Sequence, residues 1–247
     1  MIEVDGLAKI YGSLAAVRDL SFSVQPGEIM GLVGPNGAGK TTTLRCMVGI
    51  IPPTRGDIRI DGHSIVAEPL QAKALLSFMP DEPRLFEYLT VMEHLQFTAR
   101  IYGVGDFASR SAALLEELEL SDKVDALPGE LSRGMKQKLL IACGLLHSPQ
   151  VLLFDEPLTG LDPLGIRRMK STIIKRAREG AAVIVSSHLL HLVEEICDRI
   201  LIVKAGRKVL HGSMEEISGG LPELQGDASL EDIFLRVTGD SEGSLPL

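Results

Sequence analysis

The chain has 247 residues, of which 45% are apolar and 23% charged, and this ordinary globular composition excludes an intrinsically disordered protein. Asp and Glu total 33 against 25 for Lys and Arg, and a net charge of −8 disfavours nucleic acid as the main partner, because polyanion binders are normally basic. The three cysteines, Cys46, Cys143 and Cys197, lie far apart in sequence, which disfavours a disulfide framework or a zinc site.

The first 65 residues predict strands joined by tight turns. Residues 20–24 alternate between apolar and polar, and residues 29–33 form an apolar run. Asp61-Gly62, between residues 58–60 and 64–66, predicts a hairpin. No charged segment followed by an apolar run opens the chain, so we expect no secretory signal.

A phosphate-binding loop follows the apolar run at 29–33. Residues 34–41 read GPNGAGKT, fit G-x-x-x-x-G-K-[ST] and precede a helix predicted over 39–48. Glycines let backbone N–H groups close around phosphate oxygens, and the helix N-terminus adds positive potential. Lys40 is placed to reach the β- and γ-phosphates, and Thr41 to ligate Mg²⁺. The spacing does not fit the dinucleotide pattern G-x-G-x-x-G.

The middle third of the chain predicts helices. Thr90 and Glu93 form a capping box for a helix to about Tyr102, and an amphipathic helix with Leu114 and Leu115 follows. Ser132 can cap a third helix. These helices interrupt an alternation of strands and helices, so we interpret them as a subdomain inserted into the core.

Two acidic residues follow the next apolar run, residues 151–154, which is typical of a buried parallel strand. Asp155, at the end of such a strand beside a phosphate loop, can hold Mg²⁺. Glu156 leaves the strand and is placed to orient or deprotonate the water that attacks the γ-phosphate.

The last third returns to strands alternating with helices, which predicts an α/β core with a parallel sheet. Asp162-Pro163 predicts the start of a helix to about residue 179, and further strands are predicted at 182–185, 200–203 and 208–210. The last ten residues are predicted to be disordered. No apolar stretch is long enough to span a membrane, so we expect a soluble, cytoplasmic chain.

Two further motifs give a family resemblance. Residues 131–137, LSRGMKQ, come just before the strand at 151–154, and Ser186-Ser187-His188 follows the next strand. With Leu161-Asp162 between them, their order and spacing resemble the nucleotide-binding subunits of ABC transporters, over about residues 2–212. Residues 229–235 resemble the short tail of the drug, lipid and ABC-2-type exporter branch.

The resemblance implies a fold and a domain organisation. The fold is a P-loop NTPase core with a mostly parallel sheet, an N-terminal antiparallel β subdomain and an inserted α-helical subdomain. An ABC ATPase domain spans residues 1–216, with its core at 1–86 and 148–216 and its helical subdomain at 87–147. A short C-terminal tail, 217–247, follows.

The resemblance also implies a role for each motif residue. Asp155 and Glu156 match the Walker B aspartate and the catalytic glutamate, His188 matches the switch histidine that contacts the γ-phosphate, and Asp162 matches the D-loop aspartate at the dimer interface. Tyr11 matches the aromatic residue that stacks on adenine, although a tyrosine near a strand end can also belong to the core. The implied ATP-binding residues are Tyr11, Gly34, Pro35, Asn36, Gly37, Ala38, Gly39, Lys40, Thr41 and Thr42.

The sequence departs from the family pattern in two places. The signature is usually LSGGQ, and here Arg133 replaces its first glycine and Met135 its glutamine, while Ser132 and Gly134 remain. Arg133 adds positive charge beside a helix N-terminus that faces phosphate. Asp81 stands where the family has glutamine, and its carboxylate can still reach Mg²⁺.

The resemblance further implies partners. Two subunits, as a homodimer, enclose each ATP between the Walker A loop of one and the signature of the other. ATP hydrolysis then drives a separate membrane permease, which holds the chain at the inner face of the cell membrane and is expected to be an exporter. We expect the permease to contact the helical block near Asp81, Leu85, Phe86 and Tyr88, although the three apolar residues of this set could instead pack that block onto the core.

Two alternatives to a transporter subunit are weaker. A soluble ABC-type ATPase acting on ribosomes or DNA usually carries a second cassette or a long coiled coil, and the chain shows neither. A nucleotide-binding regulator without turnover is disfavoured because both Glu156 and His188 are present.

Overall fold

The structure is a computed structural model that describes residues 1–220 and 228–239 of the chain. Its strands are β1 Ile2–Tyr11, β2 Leu14–Val24, β3 Ile29–Val33, β4 Arg55–Ile60, β5 His63–Ser64, β6 Leu76–Met79, β7 Val151–Asp155, β8 Ala182–Ser186, β9 Arg199–Lys204 and β10 Arg207–Gly212. Its helices are α1 Lys40–Met47, α2 Pro69–Ala74, α3 Val91–Tyr102, α4 Phe107–Glu117, α5 Arg133–Leu145, α6 Pro163–Arg178, α7 Leu190–Ile196, α8 Met214–Gly219 and α9 Leu230–Thr238. Two short 3₁₀ helices, Ser121–Lys123 and Pro128–Glu130, connect α4 to α5.

The N-terminal strands form an antiparallel sheet in the order β2-β1-β4-β5. The predicted hairpin turns at Asp61-Gly62, where both residues have positive φ. Its second strand was predicted to run to residue 66, and that boundary is wrong because β5 ends at Ser64. The Ser64 hydroxyl donates to the Asp57 carboxylate at 2.8 Å and accepts from the Val66 amide at 3.4 Å, which turns the backbone out of the sheet.

The second sheet has the order β10-β9-β3-β8-β7-β6, and its pairs are parallel except for β10 with β9. Both faces are covered, as the apolar runs predict. In β7, Leu152 and Phe154 belong to one hydrophobic cluster, whereas Val151 and Leu153 belong to another. The parallel strands thus form the centre of the core.

Parallel strands end at one edge of this sheet, and three of those ends carry the predicted motifs. Strands β3, β8 and β7 are adjacent, with Leu32 and Asp155 both paired in register with Ser186. The phosphate loop and His188 follow β3 and β8 within two residues, and the acidic pair comprises the last residue of β7 and the residue after it. The sheet order therefore brings the three motifs to one edge, where ligands bind in open α/β sheets.

Helices α3, α4 and α5 lie in the chain between β6 and β7, and their apolar residues join the cluster on one face of the parallel sheet. The capping box at Thr90 and Glu93 forms, and Ser132 caps α5 through its hydroxyl. The predicted fold class, an α/β core with an antiparallel N-terminal sheet and inserted helices, is confirmed. The residue boundaries of the domains stay a prediction.

Helices α8 and α9 follow the second sheet. Ile217 of α8 and both Leu230 and Ile233 of α9 are buried in a cluster with β9 and α7. The prediction of disorder from residue 238 is wrong for Thr238, which ends α9, whereas residues 240–247 lie outside the described residues. Within the described residues, no helix has the length and apolar character needed to cross a membrane.

Candidate nucleotide-binding and hydrolysis site

The phosphate loop connects β3 to α1, and its last glycine fits only without a side chain. Gly39 has φ of 103°, and a Cβ there would lie 2.4 Å from the Ala16 carbonyl oxygen. The Lys40 ammonium donates to the carbonyl oxygens of Gly34 at 2.7 Å and Pro35 at 3.4 Å. Burial lowers the pKa of Lys40, while the negative charges of Glu156 and Asp155 oppose that shift.

An open cleft of 420 Å³ lies over this loop. Tyr11 stands at its edge with 45% of its surface exposed, so it is not a core residue. The Lys9 ammonium lies 5.0 Å from the centroid of the Tyr11 ring, a cation–π contact that sequence reasoning missed, although alternation along β1 puts both residues on one face. The cleft is lined by Tyr11, Leu14, Ala16, Asn36, Gly37, Ala38, Gly39, Lys40, Thr41, Thr42, Asp155 and Glu156.

A second cleft of 720 Å³ opens beside the phosphate loop, and Thr41, Asp81 and Asp155 are among its lining residues. Asp155 is buried, and burial raises its pKa, with the negative charge of Asp81 acting in the same direction. A buried carboxylate next to a hydroxyl offers the oxygen ligands that Mg²⁺ prefers, and Mg²⁺ takes its remaining ligands from waters and substrate phosphates. Thr41 and Asp155 therefore fit Mg²⁺ bound together with a nucleotide.

Glu156 and His188 form a pair at the carboxyl ends of β7 and β8. Oε2 of Glu156 lies 2.7 Å from Nδ1 of His188 and accepts from the His188 backbone amide at 3.3 Å. Glu156 itself adopts φ of 52°, a left-handed conformation that costs energy in a residue with a side chain. Its amide donates to the Ser186 carbonyl at 2.9 Å. The backbone and His188 together fix where this carboxylate lies.

The signature segment lies apart from these clefts, because none of Ser132, Arg133, Gly134 and Met135 lines either one. Ser132 caps α5, with its hydroxyl accepting from the Met135 amide at 3.3 Å. Asp162, also exposed, caps α6, with Oδ1 accepting from the Gly165 amide at 2.7 Å. Both are exposed helix N-termini that a second molecule can reach.

The two departures from the family pattern contact each other, which sequence reasoning missed. Nη2 of Arg133 lies 3.5 Å from Oδ1 of Asp81, although the two residues are 52 positions apart. No sequence pattern around Asp81 or Arg133 predicts this contact. It depends on how α5 packs beside the loop that follows β6.

An apolar surface precedes α3. Phe86 is 55% exposed and Tyr88 is 88% exposed. The Phe86 ring contacts Phe97 edge to face, with centroids 5.1 Å apart, and its amide donates to Nε2 of His94 at 3.0 Å. These residues border a cleft of 630 Å³, lined by Leu85, Phe86, Glu87, Tyr88, Leu89 and Phe97. Phe86 is therefore anchored on one side and open on the other.

Comparisons with known proteins find relatives that match most of the chain. Residues 17–159 match the family model described as ABC transporter. The ABC-type transporter ATP-binding protein EcsA of Bacillus subtilis (strain 168) is 34% identical, with 98% of each chain covered. The SkfA peptide export ATP-binding protein SkfE of the same organism is 39% identical, with 97% of this chain and 98% of SkfE covered.

Among solved structures, one described as the ATP binding subunit of an ABC transporter superposes with a TM-score of 0.92. It is 34% identical, and the match covers 96% of this chain and 99% of the other. The similarity thus extends over nearly the whole chain, including the helices between β6 and β7.

Proposed function

The chain belongs to the ABC transporter family, as an ATP-binding and ATP-hydrolysing subunit, and we propose how its residues perform that reaction. The observation that carries the proposal is the Glu156–His188 pair beside the phosphate loop. Water attacks the γ-phosphorus, and the Glu156 carboxylate, 2.7 Å from Nδ1 of His188, takes the proton of that water. The bond between the γ-phosphorus and the β-phosphate bridging oxygen breaks, which gives ADP and phosphate.

ATP occupies the cleft over the phosphate loop. Backbone amides of residues 34–42 and the N-terminus of α1 surround the phosphates. Lys40 exchanges the carbonyl oxygens of Gly34 and Pro35 for phosphate oxygens, a better partner for a cation. Tyr11 offers one ring face to adenine while Lys9 lies near the ring.

Thr41 and Asp155 would hold Mg²⁺, and Asp81 lines the same cleft. When bound there, the ion neutralises the charge of the β- and γ-phosphates. Asp155 serves this purpose because it is buried beside the cleft, and the positive charge of Lys40 offsets the cost of that burial only in part.

The active unit is a homodimer in which each ATP bridges two chains. The support is the separation of motifs: Ser132–Met135 does not line the clefts that hold Lys40, Asp155 and Glu156. An exposed, capped N-terminus of α5 suits the phosphates of ATP bound to a second copy. Asp162 at the N-terminus of α6 is exposed for the same contact.

The membrane partner is a permease carried by a separate chain, docked on the apolar surface at Phe86 and Tyr88. Large apolar side chains exposed next to an apolar cleft mark an interaction surface, here suited to a short amphipathic helix. Docking there holds the chain at the inner face of the cell membrane. Export is the direction we propose, because the relative SkfE is named as a peptide export protein.

The experiment that tests this function combines turnover with assembly. ATP hydrolysis per chain should rise with protein concentration, and Glu156→Gln with ATP should sediment as a dimer. Adding Ser132→Arg to that variant should abolish the dimer, because it places bulk at the phosphate-facing helix end. Hydrolysis per chain that is independent of protein concentration would contradict the two-chain site.

A further inference from the structure

Asp81 and Arg133 connect two segments that the proposed reaction uses separately. Asp81 lies in the loop after β6, at the cleft of Thr41 and Asp155, and Arg133 is the first residue of α5 in the signature segment. Nη2 of Arg133 donates to Oδ1 of Asp81 at 3.5 Å. The ion pair therefore connects two parts of the chain. One is the cleft of Thr41 and Asp155 in the chain's own nucleotide site, and the other is the N-terminus of α5, which faces the nucleotide of the second subunit.

A second contact, with Gly160, positions the Arg133 side chain. Its stem lies over Gly160, where a Cβ would come within 3.0 Å of Arg133 Nε and 3.1 Å of its Cδ. Gly160 also has φ of 79°, so the position favours glycine on two counts. The absence of a side chain at Gly160 leaves room for the guanidinium to reach Asp81.

The charges explain what the pair does in the isolated chain. Asp81 faces the same cleft as the buried Asp155, and two carboxylates so placed repel. Arg133 neutralises Asp81 on that side. Both side chains remain accessible, 59% exposed for Arg133 and 48% for Asp81, so a stronger anion can displace the carboxylate.

We propose that Arg133 exchanges partners during assembly, pairing with Asp81 in the free subunit and with the ATP phosphates of the second subunit in the dimer. This inference rests on the proposed two-chain ATP site. A phosphate group carries more negative charge than a carboxylate and accepts two parallel hydrogen bonds from a guanidinium. When ATP is present, it therefore displaces Asp81 as the partner of Arg133. Asp81 thereby restrains dimerisation until the second nucleotide arrives.

The test measures the dimer dissociation constant with ATP by sedimentation, in the Glu156→Gln background. Asp81→Asn should lower this constant about two- to fivefold, the scale expected for freeing a partner of an exposed ion pair. Arg133→Gln should raise it, and Arg133→Lys should restore part of the loss. In the Arg133→Gln background, Asp81→Asn should change nothing, because the partner it restrains is already absent.

A matched control separates this exchange from a general charge effect. Glu82→Gln removes the same charge from the same cleft, and Glu82 has no ion pair with Arg133 among the described residues. An equal effect of Glu82→Gln, or an equal effect of Asp81→Asn with and without Arg133, would overturn the exchange while leaving the two-chain site intact. Failure of Glu156→Gln to dimerise with ATP would instead refute the two-chain site, and the exchange with it.

Discussion

At the scale of single residues, Glu156 combines an unfavourable backbone conformation with a fixed side chain. We expect Glu156→Gln to lower ATP turnover ~10²–10⁴-fold, because the amide cannot accept the proton from water. ATP binding should persist, since Lys40 and Thr41 are unchanged. Phosphate release and calorimetric ATP titration measure the two effects. A Glu156→Gln variant that hydrolyses ATP at the wild-type rate would show that Glu156 is not the general base.

Tyr11 is the residue whose environment gives the most direct test of adenine binding. Stacking of a base on an aromatic ring is worth ~1–3 kcal/mol, so Tyr11→Ala should weaken ATP binding by up to that amount. Tyr11→Phe keeps the ring and should bind ATP as wild type does. Calorimetry compares the ATP affinities of both variants with that of the wild type. Equal affinities for the alanine variant and the wild type would exclude stacking at Tyr11.

At the scale of elements, an ion network fastens the inserted helices to the core. Glu117 at the end of α4 accepts from Thr172, Lys175 and Arg176 of α6 at 3.0, 2.9 and 2.9 Å. Burial raises the pKa of Glu117, but these hydrogen bonds and charges outweigh it, and the pKa lies below its ordinary value. The carboxylate therefore stabilises the contact between α4 and α6.

We expect Glu117→Ala to destabilise the folded chain by ~1–3 kcal/mol, because partly buried donors lose their acceptor. The exposed neighbour Glu116 supplies the control, and Glu116→Ala should leave the melting temperature nearly unchanged. A folded-state pKa below the ordinary value means that the stabilisation is present above that value and is lost as the pH falls through the folded pKa. Melting curves of wild type and Glu117→Ala should accordingly converge in acid.

At the scale of the whole molecule, the apolar surface around Phe86 connects ATP hydrolysis to a membrane partner. Phe86→Ala should lower transport and co-purification of the permease while the isolated chain stays folded and binds ATP, because the ring is 55% exposed. The control is Ile101→Ala, an exposed apolar residue of α3 that does not line the same cleft. A loss of several degrees in the melting temperature of isolated Phe86→Ala would instead make Phe86 a packing residue.

Features that depend on neighbours along the chain could be predicted from the amino-acid sequence alone. The phosphate loop, the capping box at Thr90, the caps at Ser132 and Asp162 and the apolar strand before Asp155 each lie within a few residues, and all form as predicted. Local hydrogen bonds and side-chain periodicity decide such features, so they can be recognised without knowing what packs against them.

Contacts between residues that are distant in sequence could not be predicted, because they depend on how the whole chain packs. Glu156 reaches His188 because β7 and β8 are adjacent and in register, and Arg133 reaches Asp81 because α5 packs beside the end of β6. The exposure of Tyr11 and Phe86 was likewise left open by their sequence, since a core position remained an alternative for both. Strand order, register and helix packing result from the burial of apolar surface by the whole chain, and no local pattern carries that information.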